Sequence, residues 1–151
     1  MKVLIAGCGR FGSTLAVRLA AEGHTVTIVD VTTDQLERFL PSDFPGRTIL
    51  GDAIDEDVLR EAGVETADAF VASMYGDNHN LMAVQIAKIR FGVKRVVARC
   101  QDPVRAELYQ GLGLPTLCPS QLGAAALYEA IMNDARQQKD VAVAIDQMLV
   151  N

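Results

Sequence analysis

Lys2-Val3-Leu4-Ile5-Ala6-Gly7-Cys8-Gly9-Arg10-Phe11-Gly12, residues 2–12, is the stretch whose reading decides the fold. Lys2 to Ala6 is a short apolar run rich in strand formers and reads as a buried strand. Gly7, Gly9 and Gly12 follow at once in the spacing G-x-G-x-x-G. Ser13 to Glu22 then reads as a helix, with Phe11, Leu15 and Leu19 recurring every four residues on one face, and Gly23 ends it. Thr25 to Val29 is a second strand that stops at Asp30.

Each part of this unit has a physical reason. The first glycine allows a tight turn, the second lets backbone approach a phosphate, and the third lets the helix pack closely on the strand. Free N–H groups at the helix start, aided by the helix dipole, make an anion site. Asp30 lies 18 residues after Gly12, close to the roughly 20 expected for a carboxylate that accepts ribose hydroxyls. The spacing alone is a weak signal; strand, glycines, helix, strand and terminal acid in register point to nucleotide binding. The bland alternative is a βαβ unit whose glycines only pack and whose Asp30 only caps the next helix.

The 151 residues suit one domain, and 50% hydrophobic with 22% charged residues is a globular composition. A net charge of -5 counts against a nucleic-acid partner. No apolar run approaches the roughly 18 residues of a membrane span, and the N-terminus lacks a signal-peptide layout. Cys8, Cys100 and Cys118 lack metal-ligand spacing and suit a reduced, cytoplasmic protein.

From Asp30 onward strand and helix alternate with short links. Thr32-Thr33-Asp34 offers caps for a helix over 35–40 that Pro41 ends. Strands are expected at 48–50, 69–72, 95–99 and 114–118, the last at a sheet edge because of Pro115. Helices are expected at 55–62, at 77–90 with Met82, Ile86 and Ile89 on one face, and at 103–110. The expectation is a Rossmann-like, doubly wound α/β fold: a parallel sheet of about six strands, followed by C-terminal helices, with a ligand crevice at the strands' carboxyl ends. Residues 1–135 would form this domain. Ser120 can cap a helix running to about Arg136 that is apolar nearly all round over 122–127, a pattern of helices buried on more than one side. Residues 136–151 would then be an amphipathic tail, with Val141, Ala144, Ile145, Met148 and Leu149 as a full apolar stripe for an oligomer contact.

By Gly51-Asp52 the sequence resembles a family, and the match continues to Ser120. Ile5 to Gly12 with Val29-Asp30, then Gly51-Asp52-Ala53 with Leu59 and Ala62-Gly63, resemble the nucleotide-binding part of RCK domains, regulators of K+ conductance also called TrkA-N or KtrA-type domains. Asp77-Asn78-His79-Asn80 is similar to the Asp-x-x-Asn that starts the family's fourth helix, and Ala98-Arg99, Leu112-Gly113 and Pro119-Ser120 complete the likeness. The resemblance implies a cytosolic regulatory module, not an enzyme, in which nucleotide binding biases an assembly that controls a membrane K+ transporter or channel. It implies further that the helix after Ser120 crosses to a second subunit, giving a homodimer or a higher ring such as an octamer. Ser120 stands where some ATP-binding members have a glutamate that helps place a cation, so no metal is expected there.

The candidate binding residues follow. Arg10, inside the glycine loop with Cys8 and Phe11, can clamp phosphate oxygens. Asp30 and the adjacent Val31 suit the ribose of NAD(H), ATP, ADP or AMP, and disfavour the 2′-phosphate of NADP. Asp52 can accept from an adenine amino group or cap a helix, and Ala53 would offer an N–H or a contact to the base. Ser73 and Met74 should floor the crevice. Arg99 can reach a phosphate or a neighbouring subunit. Asp77 and Asn80 read as helix caps, His24 and His79 as residues without a partner triad. Cys8 beside a helix start can have a lowered pKa or simply pack. Two other readings stand beside the regulator: a stand-alone NAD-dependent oxidoreductase, for which no acid–base constellation presents itself, and a redox sensor acting through NAD(H) or Cys8.

Overall fold

The structure, a computed structural model, describes residues 1–132; the amphipathic stripe expected over 141–149 lies outside them. Strands β1 (Lys2–Ala6), β2 (Thr25–Asp30), β3 (Arg47–Leu50), β4 (Ala69–Ala72), β5 (Arg95–Arg99) and β6 (Thr116–Leu117) form one sheet in the order β3-β2-β1-β4-β5-β6. Every pairing is parallel. A parallel sheet must be covered on both faces, and the runs Val3 to Ala6 of β1 and Ala69 to Ala72 of β4 at its centre are apolar for that reason. Leu4 and Ala6 of β1 face one core with Val29, Phe70 and Ala98, while Val3 and Ile5 face the other with Val26 and Ile28. Each such buried side chain contributes on the order of 1.5–3 kcal/mol.

Helices α1 (Arg10–Ala21) and α2 (Thr33–Phe39) cover the second core through Ala16, Leu15, Leu19, Leu36 and Phe39. Helices α3 (Glu56–Glu61), α4 (Asp77–Gln85) and α5 (Pro103–Gly111) cover the first through Leu59, Leu81, Val84 and Tyr109. The doubly wound architecture expected from the sequence is the one observed. β6 is the short edge strand, and Pro115 just before it accepts the Ala98 N–H through its carbonyl at 3.0 Å, a role that needs no N–H of its own.

Two faces differ from expectation. On α1 the residues fully buried are Gly12, Ser13 and Ala16, and Phe11 is 40% exposed. On α4 the buried residues are Asn80, Leu81, Ala83 and Val84, whereas Met82 is 52% and Ile89 77% exposed. The helix widens to a π turn over Ile86–Arg90, which shifts the register of everything beyond Gln85. Helix α6 (Pro119–Met132) has no fully buried residue among the described residues, so little of its apolar surface is covered by the layers described.

Candidate functional site

The carboxyl ends of β1, β2, β4 and β5 open into one cleft of about 1120 Å³. β1 sits between β2 and β4, so the cleft lies where the chain's winding reverses, the place at which doubly wound sheets hold ligands. The glycine loop is its centre, and the three glycines do different work. Gly7 has φ of +99°, and a side chain there would strike the backbone of Met74. A Cβ at Gly12 would fall on the Gly7 carbonyl oxygen and on Ser73 Oγ, so close packing of α1 on β1 and β4 requires its absence. Gly9 has φ of -71°, and a Cβ there would meet nothing within 4 Å. Its missing side chain serves the space above the loop, where backbone can meet a phosphate.

The first helical bond of α1 runs from Ser13 N–H to the Gly9 carbonyl at 2.9 Å. The N–H groups of Arg10, Phe11 and Gly12 therefore have no acceptor inside the helix. Together with the helix dipole they make a site for negative charge. Arg10 is exposed at the same place and forms no ion pair among the described residues. Phe11, with its ring out of the core, lines the cleft as well.

On the β2 side Asp30 ends its strand at the cleft with Val31 beside it. Its Oδ2 accepts the Cys8 N–H at 2.7 Å, and its Oδ1 accepts the Thr32 N–H at 3.1 Å and the Thr32 hydroxyl at 3.3 Å. A carboxylate has about four acceptor positions, so Oδ2 keeps one for a ligand and the Thr32 hydroxyl can rotate away to free another. Asp30 thus ties the glycine loop to β2 and still faces the cleft. Thr32 occupies the cap position of α2 without capping it; its hydroxyl is spent on Asp30. Asp52 lines the cleft, and its Oδ1 accepts the Ile54 N–H at 3.2 Å, which fixes the turn after β3.

Of the residues expected at the site, Gly7, Gly9, Arg10, Phe11, Asp30, Val31, Asp52, Ser73, Met74 and Arg99 line the cleft. Cys8, Gly12 and Ala53 are buried behind it. Burial, and then the Asp30 charge, push the Cys8 thiol up to about 11, so the lowering that a helix start can cause is overcome and Cys8 packs as a neutral thiol. Sequence reasoning missed Thr14 and Arg18, which share with Arg10 a four-residue spacing on the exposed face of α1; that spacing was the available signal. It also missed Tyr75 and gave His79 no place at the site, though both line the cleft.

The β4–β5 side is held by a polar floor. Ser73, buried, donates through Oγ to the carbonyls of Ala6 at 3.2 Å and Gly7 at 3.1 Å. Asn80, fully buried, accepts the Met74 N–H at 2.7 Å and donates to the Met74 and Arg99 carbonyls at 3.0 Å each. Its side chain is fully satisfied and joins the β4 loop to the end of β5, where a helix cap was expected. Arg99 donates from Nη2 to the Met74 carbonyl at 2.8 Å, and its buried Nε has no acceptor among the described residues. Asp77 is not a cap either; Gly76 holds that position. Its carboxylate accepts the N–H groups of Gln101 at 2.8 Å and Asp102 at 3.0 Å. Burial acts to raise its pKa, but these two bonds, the Cys100 thiol and the Arg105 charge outweigh burial and hold it below 3.8.

A model of the TrkA-N domain matches residues 3–118. The Trk system potassium uptake protein TrkA of Streptomyces coelicolor is 50% identical over 117 residues, 78% of this chain and 52% of that protein. The chain therefore spans about half the length of this relative. Among solved structures, the Shewanella denitrificans Kef CTD in AMP-bound form has a TM-score of 0.70 at 23% identity, covering 100% of both chains. The GsuK channel bound to NAD has a TM-score of 0.62 at 23% identity, covering 77% of this chain and 21% of that one. At such identities the two structures speak to the shared fold alone.

Proposed function

Because the chain belongs to the TrkA-N domain family, we propose that it is a nucleotide-binding regulatory module that controls a membrane K+ uptake system or channel through a ligand-dependent conformational change. The observation that carries this reading is the cleft at the winding reversal, where three helix-start N–H groups and Arg10 stand beside the carboxylates of Asp30 and Asp52. Cationic and N–H donors suit a phosphate, and two carboxylates next to them suit ribose hydroxyls and an amino group. The ligand is NAD(H) or an adenine nucleotide (ATP, ADP or AMP). NADP is disfavoured because its 2′-phosphate would meet the charge of Asp30. The named role of the relative in potassium uptake favours binding over catalysis.

A ligand shifts an equilibrium only by its different affinity for two states. The exposed α6 offers a surface through which those states can differ, as a homodimer or a higher ring. No helix among the described residues is long and apolar enough to cross a membrane, so the module would act from the cytoplasm, on the inner face of the membrane, through a separate K+-translocating partner.

Calorimetry with AMP and NADH tests the ligand, and restoration of K+ uptake in a strain lacking its own regulator tests the role. Asp30→Ala should weaken both nucleotides at least about tenfold, because each charged hydrogen bond is worth roughly 1.5–3 kcal/mol. Absence of binding by the wild-type chain would overturn the reading, and so would steady turnover of NADH with added acceptors.

A further inference from the structure

Cys100 and Cys118 lie 18 residues apart in the sequence and side by side in the fold. Arg99 and Leu117 are register partners at the ends of β5 and β6, and the Cys100 N–H donates to the Leu117 carbonyl at 2.9 Å. Each cysteine follows the last paired residue of its strand, so the two hold the next position across the same ladder. Residues at one position of a parallel ladder share a sheet face, and with Ala106 of α5 the two cysteines form a small buried cluster. Neighbouring strands stand roughly 4.7–4.9 Å apart, inside the roughly 4.4–6.8 Å that separates the Cα atoms of a disulfide. β6 is a two-residue strand at the sheet edge, so its end can draw in on β5 without disturbing the central ladders. Neither cysteine lines the nucleotide cleft.

Both sulfurs sit at one joint. The Cys100 thiol donates to Asp77 Oδ2 at 3.4 Å, with the Asp102 carbonyl at 3.5 Å. The Cys118 thiol donates to the Gln101 carbonyl at 3.4 Å and lies 3.1 Å from the Ser120 hydroxyl oxygen. The pair therefore stands between the start of α4 and the start of α6. No three Cys, His, Asp or Glu side chains among the described residues are grouped to hold a metal ion, which leaves the chemistry of the thiols themselves. We propose that Cys100 and Cys118 form a redox-responsive dithiol, converted by a hydroperoxide to an intrachain disulfide that ties the end of β5 to the residue preceding α6. Cys118, 6% exposed against 0% for Cys100, reacts first. Its sulfur attacks one peroxide oxygen and the O–O bond breaks. A sulfenic acid forms, and the thiol proton leaves with the other oxygen as an alcohol, or as water from hydrogen peroxide. The Cys100 sulfur then attacks Cys118 Sγ, the S–O bond breaks, and the departing hydroxide takes the Cys100 proton as water. The two thiols lose two electrons in all, and the peroxide gains them. Burial, then the hydrogen bond to Asp77 and its charge, push the Cys100 thiol up to about 11. It thus stays neutral until a sulfenic acid stands beside it, which suits the second role. Oxidation takes one S–H donor from Asp77 and the other from Gln101, so the joint that carries α6 differs between the two redox states.

The test treats the full chain with excess hydrogen peroxide and compares intact mass, free-thiol count and non-reduced peptide map before and after dithiothreitol. The expected result is a loss of two hydrogens, a fall from the three free thiols of the reduced chain to one, a peptide pair joining Cys100 to Cys118, and full reversal by the dithiol. Cys100→Ser should leave Cys118 as a sulfenic acid that a 1,3-diketone traps, and Cys118→Ser should leave Cys100 as a thiol. Circular dichroism checks that both variants fold, and the wild-type map decides the pairing without them. A disulfide through Cys8, a link between two chains, oxidation to a sulfinic acid with no disulfide, or survival of all three thiols would each overturn the proposal. None of these outcomes touches the nucleotide reading, which rests on other residues.

Discussion

The sheet and the last helix meet the same demand, burial of apolar surface, with opposite outcomes. Ile5, Ile28 and Phe70 are completely buried within the chain. Leu122, Leu127, Tyr128, Ile131 and Met132 of α6 are 56–79% exposed. Both regions are apolar by composition, yet only one finds its complement in residues 1–132. Strands are covered because each βα step brings a helix back over them, a consequence of local chain geometry. Among the described residues no element follows α6 to cover it in the same way. An exposed apolar face of this kind is ordinarily an interaction surface, and the contact proposed above for α6 would supply the cover that the described residues do not.

The largest expected effect breaks the body. Gly12→Ala drives a methyl into the Gly7 carbonyl and Ser73 Oγ, and backbone cannot give way as a flexible side chain can. We expect a loss of about 3 kcal/mol or more, read as the midpoint shift in urea unfolding. Gly9→Ala is the control: its Cβ meets open space, so the midpoint should stay put while nucleotide affinity falls, because the methyl stands where phosphate must approach. Equal stability of the two variants would show that α1 does not depend on this contact.

A smaller effect on stability, with a large effect on assembly, is expected at α6. Leu127→Asp with Ile131→Asp removes apolar surface that is exposed among the described residues, so the unfolding free energy of the isolated subunit should change by no more than about 0.5 kcal/mol per site. Light scattering at micromolar concentration should show the wild type as a dimer or larger and the double variant as a monomer. A monomeric wild type would sink the contrast between the two regions.

What the sequence could and could not reveal follows the same division. Glycine spacing, strand positions and the reversal of winding were readable because each is set by neighbours a few residues away. The cleft-facing roles of Asp30, Ser73 and Met74 follow from their place at strand ends. Asn80 was read as a cap because its true acceptors and donor, at Met74 and Arg99, are brought together only by the pairing of β4 with β5. Met82, Ile86 and Ile89 read as one helix face, but helical spacing does not reveal which face meets the sheet, and a π turn at Ile86–Arg90 cannot be seen in periodicity. Tyr75 was passed over since a lone aromatic in a loop carries no pattern. For α6, composition announced burial but could not say against what.

The smallest expected effect lies at the joint between the two regions. Gln101 is held from one side by Asp77, which accepts its N–H. From the other side its carbonyl accepts the Ser120 hydroxyl at 2.7 Å at the start of α6; Ser120, expected as a cap, is used here instead. The Asp77 pKa is depressed in the folded state, so its ionised form favours folding. That contribution is present above the unfolded value of 3.8 and is lost as pH falls through the lower folded value. Asp77→Asn keeps one acceptor oxygen but turns an NH₂ toward a backbone N–H, so one of the two bonds must break. The variant should therefore unfold at lower urea than wild type at pH 7, and the gap should narrow as pH falls below the unfolded value of 3.8 and close as it passes the lower folded value, where native Asp77 takes up a proton. A gap of constant size from pH 7 to pH 3 would mean that the carboxylate's charge does not hold the joint and that shape alone does.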